Sequence, residues 1–153
     1  MARPLVVFGV TGQQGASVAT TVLKDAELSN VYSVRGVTRD ASKPEARALE
    51  SQGVEILRGN TDDRASIRQV FQGAHTVFAM TVSIYERGGA EREIAQGKAI
   101  ADEAVAAGVQ FLIYSVVPSP SKLTKGKWPV ASVSLGCGGT QVHRFRDVRE
   151  SAS

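Results

Sequence analysis

Residues 5–19 of the chain read LVVF-GVTGQQG-ASVA, and this stretch decides the fold. The apolar run at residues 5–8 is followed by a glycine-rich segment at residues 9–15, a pattern that predicts a buried strand, a turn and then a helix. Three glycines spaced three residues apart have separate purposes: one permits the tight turn, one lets backbone N–H groups approach a phosphate, and one lets the helix pack closely on the strand. We therefore predict that the helix N-terminus faces a dinucleotide pyrophosphate. The predicted cofactor contacts are the seven residues of the turn, Gly9, Val10, Thr11, Gly12, Gln13, Gln14 and Gly15.

The composition is that of an ordinary soluble globular domain. The chain has 153 residues, of which 42% are hydrophobic and 22% charged, and no apolar run reaches the length of a membrane span. A single cysteine, Cys137, excludes an intramolecular disulfide, so we expect a reducing compartment, the cytoplasm, with the nucleus as the alternative. We expect no metal site, because neither Cys137 nor His143 has a second Cys or His at ligand spacing.

The positive net charge is concentrated at one end of the chain. Residues 1–118 carry 12 Lys and Arg against 13 Asp and Glu, a net charge of −1, whereas residues 119–153 carry 6 against 2, a net charge of +4. A basic face with interleaved aromatic residues is therefore absent from the first 118 residues. We expect no direct nucleic-acid partner and no membrane partner.

Strand and helix patterns alternate along the rest of the chain. The predicted strands are residues 5–8, 31–37, 54–58, 74–80 and 109–117, and the predicted helices are residues 16–24, 42–51, 65–71 and 90–107. This βαβαβαβαβ order predicts an α/β fold, a doubly wound parallel sheet of the Rossmann type with strand order 3-2-1-4-5.

The end of the second predicted strand carries the residues that distinguish NAD from NADP. An acidic side chain there accepts a hydrogen bond from the free 2′-hydroxyl of NAD, whereas an arginine pairs with the 2′-phosphate of NADP. Arg39 lies at the strand end and Asp40 follows it. This arrangement favours NADP and leaves NAD as the alternative cofactor. The other interpretation of Arg39 is a solvated turn residue.

Two further strand ends carry candidate contacts. Asp62 and Asp63 follow the third strand, at the edge where they could contact the adenine or its ribose, although Asp63 or Thr61 could equally serve as the cap of the next helix. Thr81, Val82 and Ser83 follow the fourth strand, where the nicotinamide half of a dinucleotide passes in this fold.

Two other residues have competing interpretations. Lys98, on the longest predicted helix, is a candidate cofactor contact, with a solvated helical lysine as the alternative. His75 lies near the amino-terminal end of the fourth strand, away from the edge at which ligands bind in open α/β sheets. We therefore expect a structural role for His75.

The residue pair used by many short-chain dehydrogenases is missing. In a Tyr-x-x-x-Lys pair the lysine lowers the tyrosine pKa so that the hydroxyl can exchange a proton with the substrate. The tyrosines are Tyr32, Tyr85 and Tyr114, and none is followed by a lysine four residues later. Ser115, at the end of the fifth strand, is a candidate for polarising a carbonyl, but the catalytic residues stay unassigned.

Five motifs, taken in order, resemble the NmrA-like family of atypical short-chain dehydrogenase-like proteins. They are VVFGVTGQQG at residues 6–15, RGVTRD at 35–40, NTDDR at 60–64, QGK at 96–98 and FLIYS at 111–115. The resemblance covers roughly residues 4–130 and implies an NADP(H)-binding Rossmann domain at residues 1–130. It would place cofactor contacts on Gly9 to Gln14, Arg39, Asp63, Thr81 to Ser83 and Lys98. Such domains are found in redox-sensing regulators, which bind transcription factors or enzymes, and in reductases.

The chain departs from the family pattern after Trp128. Family members typically continue into a His-Phe-Asp-x-Lys-like helix and then a second lobe, whereas residues 131–153 here lack periodicity and include three glycines at positions 136, 138 and 139. We expect this segment to be an irregular, poorly ordered tail, the C-terminal lobe to be missing, and one edge of the fifth strand to be uncovered. Our first hypothesis is a redox-sensing regulatory module that binds NADP(H) and whose cofactor occupancy is read by a protein partner. The alternatives are an NAD(P)H-dependent reductase of a small carbonyl or enone substrate, and a truncated product without function.

Overall fold

The computed structural model describes residues 1–81, 87–116 and 139–144. The strands are β1 (Arg3–Phe8), β2 (Tyr32–Thr38), β3 (Glu55–Arg58), β4 (Thr76–Met80), β5 (Phe111–Val116) and β6 (Gly139–Arg144). The helices are α1 (Gln13–Lys24), α2 (Ala26–Val31), α3 (Pro44–Glu50), α4 (Arg64–Val70) and α5 (Gly89–Ala106). No helix within the described ranges is long and apolar enough to cross a membrane.

The strands form one sheet in the order β3-β2-β1-β4-β5-β6. All pairings among the first five strands are parallel, which confirms the predicted order 3-2-1-4-5 and the doubly wound α/β fold. Because the strands run in the same direction, the loops that follow them meet at one edge of the sheet.

Alternate residues of the central strands face opposite layers of helices. Val6 and Phe8 of β1 belong to a buried cluster that includes residues of α4 and α5, whereas Leu5 and Val7 belong to a second cluster with residues of α1 and α3. The central strands β1 and β4 therefore read as nearly continuous apolar runs, because both faces of the sheet are covered there.

Two elements differ from the sequence-based predictions. Asp25 ends α1 and caps α2, since its carboxylate accepts hydrogen bonds from the backbone N–H groups of Glu27 and Leu28, both at 2.9 Å. Val31, predicted to begin the second strand, is the last residue of this short helix. A local cap of this kind adds a turn of helix without any hydrophobic periodicity to reveal it.

The second difference is β6, a strand that the sequence analysis did not predict. Residues 139–144 pair antiparallel with β5, so the edge of β5 that was expected to be uncovered carries a strand. The other residues of the predicted tail, 131–138 and 145–153, lie outside the described residues.

Candidate dinucleotide-binding site

A cleft of about 450 Å³ opens where β1, β2, β3 and β4 end. The loops after these strands form its walls, and α5 closes one side. Its lining residues are Phe8, Gly9, Thr11, Gly12, Val37, Thr38, Arg39, Asp40, Lys43, Gly59, Thr61, Asp62, Met80, Arg92 and Gln96. The cleft thus brings together five of the predicted cofactor contacts. Gly9, Thr11 and Gly12 come from the β1–α1 turn, Arg39 from the β2–α3 loop and Asp62 from the β3–α4 loop.

The glycines of the β1–α1 turn leave room for backbone approach. Gly9 has a φ of +62°, a conformation that other residues rarely adopt, and the Gly12 N–H donates to the Gly9 carbonyl at 2.9 Å. A Cβ on Gly12 would lie 3.3 Å from the Gly9 oxygen, and one on Gly15 would lie only 2.3 Å from it. The first two glycines therefore shape the cleft floor, while Gly15 lets α1 pack against the turn.

The other residues of the turn have different environments. Val10 is fully buried, and its backbone N–H donates to the Val37 carbonyl at 3.3 Å, so its side chain belongs to the core and not to the cleft. Gln13 is exposed. Gln14 accepts a hydrogen bond at 2.8 Å from the hydroxyl of Ser115, which joins the start of α1 to β5.

At the end of β2, Arg39 and Asp40 are not equivalent. The Asp40 carboxylate accepts hydrogen bonds from the Ser42 backbone N–H at 2.9 Å and from the Ser42 hydroxyl at 2.6 Å. These bonds, together with the nearby positive charges of Lys43 and Arg58, hold the pKa of Asp40 below its usual value. Asp40 is therefore engaged within its own loop, whereas Arg39 is an exposed cation that lines the cleft.

Asp62 is fixed in the cleft wall by the side chains of two residues of α5. Its carboxylate accepts a hydrogen bond from the Arg92 guanidinium (Nε) at 2.8 Å and another from the Gln96 amide at 2.7 Å. These bonds lower the pKa of Asp62 to about 2, so the group is ionised at neutral pH. Sequence reasoning missed Arg92 and Gln96. Their spacing of four residues on one helix face was the available signal, but nothing in the sequence indicated that this face meets the β3–α4 loop.

Asp63 and Lys98 lie outside the cleft lining. The Asp63 carboxylate accepts a hydrogen bond from the Ala65 N–H at 3.0 Å and caps α4, which confirms the capping role considered for it. Lys98 is exposed on α5. A contact between either residue and a cofactor stays a prediction.

Thr81 connects the end of β4 to α5 and β5. Its hydroxyl donates to the Glu93 carboxylate at 2.7 Å, and it also hydrogen-bonds the hydroxyl of Tyr114. Burial raises the pKa of Tyr114, so this phenol is a neutral group in the folded protein. Val82 and Ser83, predicted to lie near the nicotinamide, are outside the described residues.

Comparisons with known proteins agree with this geometry. The family model described as the NmrA-like family matches residues 1–133. An NmrA-like family domain-containing oxidoreductase of Aspergillus japonicus is 34% identical over 132 residues, which cover 84% of this chain and 38% of the relative. The chain thus spans about two fifths of the length of the curated relatives that it matches first, at 40% and 38%.

Solved structures extend the similarity to the fold. NmrA, a negative transcriptional regulator solved in complex with NADP and also with NAD, aligns with a TM-score of 0.67 and 28% identity over 84% of this chain and 37% of NmrA. A Citrobacter triphenylmethane reductase complexed with NADP(H) aligns with a TM-score of 0.63 and 26% identity over 73% of this chain and 37% of the reductase.

Proposed function

Because the chain belongs to the NmrA-like family, we propose that it binds NADP(H) in the cleft and that a protein partner reads its cofactor occupancy. The observation that carries the proposal is the β1–α1 turn, in which Gly9 and Gly12 present backbone without side chains to the cleft. The partner would be a transcription factor or an enzyme, as the family resemblance implies.

The turn fits a pyrophosphate. Gly9 and Gly12 line the cleft, and α1 begins directly after Gly12, which has no side chain with which to cap the helix. The first N–H groups of a helix have no acceptor within the helix, and the helix dipole favours negative charge at this end. The turn residues 9–14 would therefore hold the phosphates.

The ribose end of the cleft fits NADP better than NAD. Arg39 and Lys43 both line the cleft, and the hydrogen bonds from Ser42 engage the carboxylate of Asp40. An engaged carboxylate is less available to a 2′-hydroxyl, whereas an exposed guanidinium suits a 2′-phosphate. The solved NmrA structures contain NADP in one case and NAD in another, so NAD stays the alternative.

A regulatory role is supported by the similarity to NmrA, which is described as a negative transcriptional regulator. It is also supported by the sequence, in which no Tyr-x-x-x-Lys pair supplies a proton donor of the usual kind. A bound nicotinamide can exist in oxidised and reduced forms, so a partner that distinguishes them would respond to redox state.

The second candidate function is an NAD(P)H-dependent reductase of a small carbonyl or enone substrate. Two comparisons favour it, since the Aspergillus relative is named an oxidoreductase and the Citrobacter protein a reductase. The Tyr114 hydroxyl, hydrogen-bonded to Thr81 near the end of β4, is a protonated group on the side of the sheet edge where a nicotinamide would lie.

Calorimetric titration of the full chain with NADPH and NADH tests cofactor binding, and absorbance at the NADPH band tests turnover with a panel of carbonyl and enone acceptors. Tight NADPH binding without acceptor-dependent oxidation supports the regulatory module. Sustained oxidation with one acceptor class supports the reductase instead. If neither dinucleotide binds, both proposals are wrong.

A further inference from the structure

Arg58 lies beside the end of β2, although it belongs to the neighbouring strand. It is the last residue of β3, and the parallel register places it opposite Thr38, the residue before Arg39. Arg58 and Arg39 also line the same open groove, which lies between the end of β3 and α4. Arg39 lines both this groove and the cleft. Arg39 and Arg58 therefore flank the same part of the candidate site, the corner where β2 and β3 end.

A third cation, Lys43, and the carboxylates of Asp40 and Asp63 complete this corner. Lys43 lines the cleft next to Arg39 and Asp40. The charges of Lys43 and Arg58 both contribute to the lowered pKa of Asp40, after the larger effect of its hydrogen bonds to Ser42. Three cations thus lie close to two carboxylates, those of Asp40 and of Asp63, which lines the groove with Arg39 and Arg58. Both carboxylates accept hydrogen bonds within their own loops. The corner therefore carries an excess of positive charge, three cations against two engaged carboxylates.

We propose that Arg58 is a specificity-determining residue that binds the 2′-phosphate of NADP(H) together with Arg39. The inference rests on the proposed function, because it concerns the same cofactor. A phosphate monoester carries a charge of about −1.5 to −2 at neutral pH, more than one guanidinium compensates. NAD has an uncharged hydroxyl at this position, so Arg58 strengthens binding of NADP and leaves binding of NAD unchanged.

The experiment compares Arg58→Gln and Arg58→Lys with the unmodified chain by calorimetry. The ligands are NADPH and NADH, together with adenosine 2′,5′-bisphosphate and AMP, which are their adenosine halves. Arg3→Gln is the matched control, because it removes the same charge from an exposed residue at the opposite, amino-terminal end of β1. Circular dichroism checks that each variant is folded.

We expect Arg58→Gln to weaken NADPH and adenosine 2′,5′-bisphosphate roughly three- to tenfold, as for an exposed charge pair with phosphate, and to change NADH and AMP less than twofold. Arg58→Lys should restore part of the loss, and Arg3→Gln should leave the ratio unchanged. If NADPH binds and Arg58→Gln alters both cofactors equally or neither, the inference is wrong while the proposed function stands. If the unmodified chain binds no dinucleotide, the proposed function fails and the inference fails with it.

Discussion

The amino-terminal and carboxyl-terminal ends of the parallel strands form two opposite edges of the sheet, and these two edges differ in how they are packed. At the amino-terminal edge, His75 packs between Tyr32 and Phe111, with ring centroids 6.2 Å and 5.6 Å apart. Its backbone N–H donates to the Pro4 carbonyl, and its carbonyl accepts from Gln110, both at 2.9 Å. Aromatic rings and backbone hydrogen bonds therefore fill this edge.

At the carboxyl-terminal edge, glycines and charged groups leave a cleft. Gly9 and Gly12 contribute backbone, while Arg39, Asp62 and Arg92 contribute charge. The strands therefore supply a common scaffold, and the loops decide which edge is packed and which can admit a ligand. The position of His75 at the packed edge supports the structural role predicted for this residue.

The largest expected effect comes from adding a side chain to the glycine turn at the open, carboxyl-terminal edge. In Gly15→Ala the new Cβ would lie 2.3 Å from the Gly9 carbonyl oxygen, and backbone cannot move aside cheaply. We expect a loss of about 3 kcal/mol in the free energy of unfolding, measured by urea denaturation, together with loss of NADPH binding.

Gly53→Ala is the control for this variant. Gly53 has a φ of +98° and no atom within 4 Å of an added Cβ, so the cost should be roughly 1 kcal/mol, from backbone strain alone. If the two variants lose the same stability, close packing of α1 on the turn is not the reason for Gly15.

Removing the guanidinium of Arg39 at the open edge should have the next largest effect. Arg39→Ala should weaken NADP binding by roughly 1.5–3 kcal/mol, the contribution of a hydrogen bond to a charged group, and should weaken NAD binding far less. Calorimetric dissociation constants for both cofactors measure the difference. Equal losses for NADP and NAD would remove the case for NADP preference.

A third prediction concerns Gly97, where an added Cβ would meet a side chain and not the backbone. An added Cβ on Gly97 of α5 would lie 3.1 Å from the Tyr114 hydroxyl oxygen. We expect Gly97→Ala to be neutral or destabilising alone, and to stabilise the Tyr114→Phe protein by up to about 1 kcal/mol through helix propensity. A double-mutant cycle by urea denaturation measures this coupling, and purely additive effects would contradict the contact.

The smallest effect concerns pH dependence at the packed edge. Burial, with a smaller contribution from the charge of Arg3, lowers the pKa of His75. The folded protein therefore favours the neutral imidazole, and this contribution to stability is complete above the unfolded pKa of about 6.5 and is lost as the pH falls below it. We expect His75→Gln to reduce the fall in the urea midpoint between pH 8 and pH 5, without changing NADPH affinity. A change in NADPH affinity would show that the packed edge also contributes to the site.

The strand order and the glycine turn could be predicted because local patterns encode them. Apolar runs or alternating apolar residues mark the five parallel strands, and the spacing of Gly9, Gly12 and Gly15 marks the turn. The cap at Asp25 and the strand at residues 139–144 could not be predicted in the same way. The cap depends on two local hydrogen bonds, and the strand depends on an available edge of β5.

The sequence by itself determined the fold class, the position of the turn and the cation at the end of β2, because hydrophobic periodicity and glycine spacing act over a few residues. Only the tertiary structure decided which charges meet. Asp62 joins Arg92 and Gln96 across 30 and 34 residues of chain, and Arg58 reaches the corner of Arg39 through strand register. The physical reason is that parallel pairing brings strand ends together regardless of their separation along the chain, so electrostatic partners are set by the sheet and not by sequence distance.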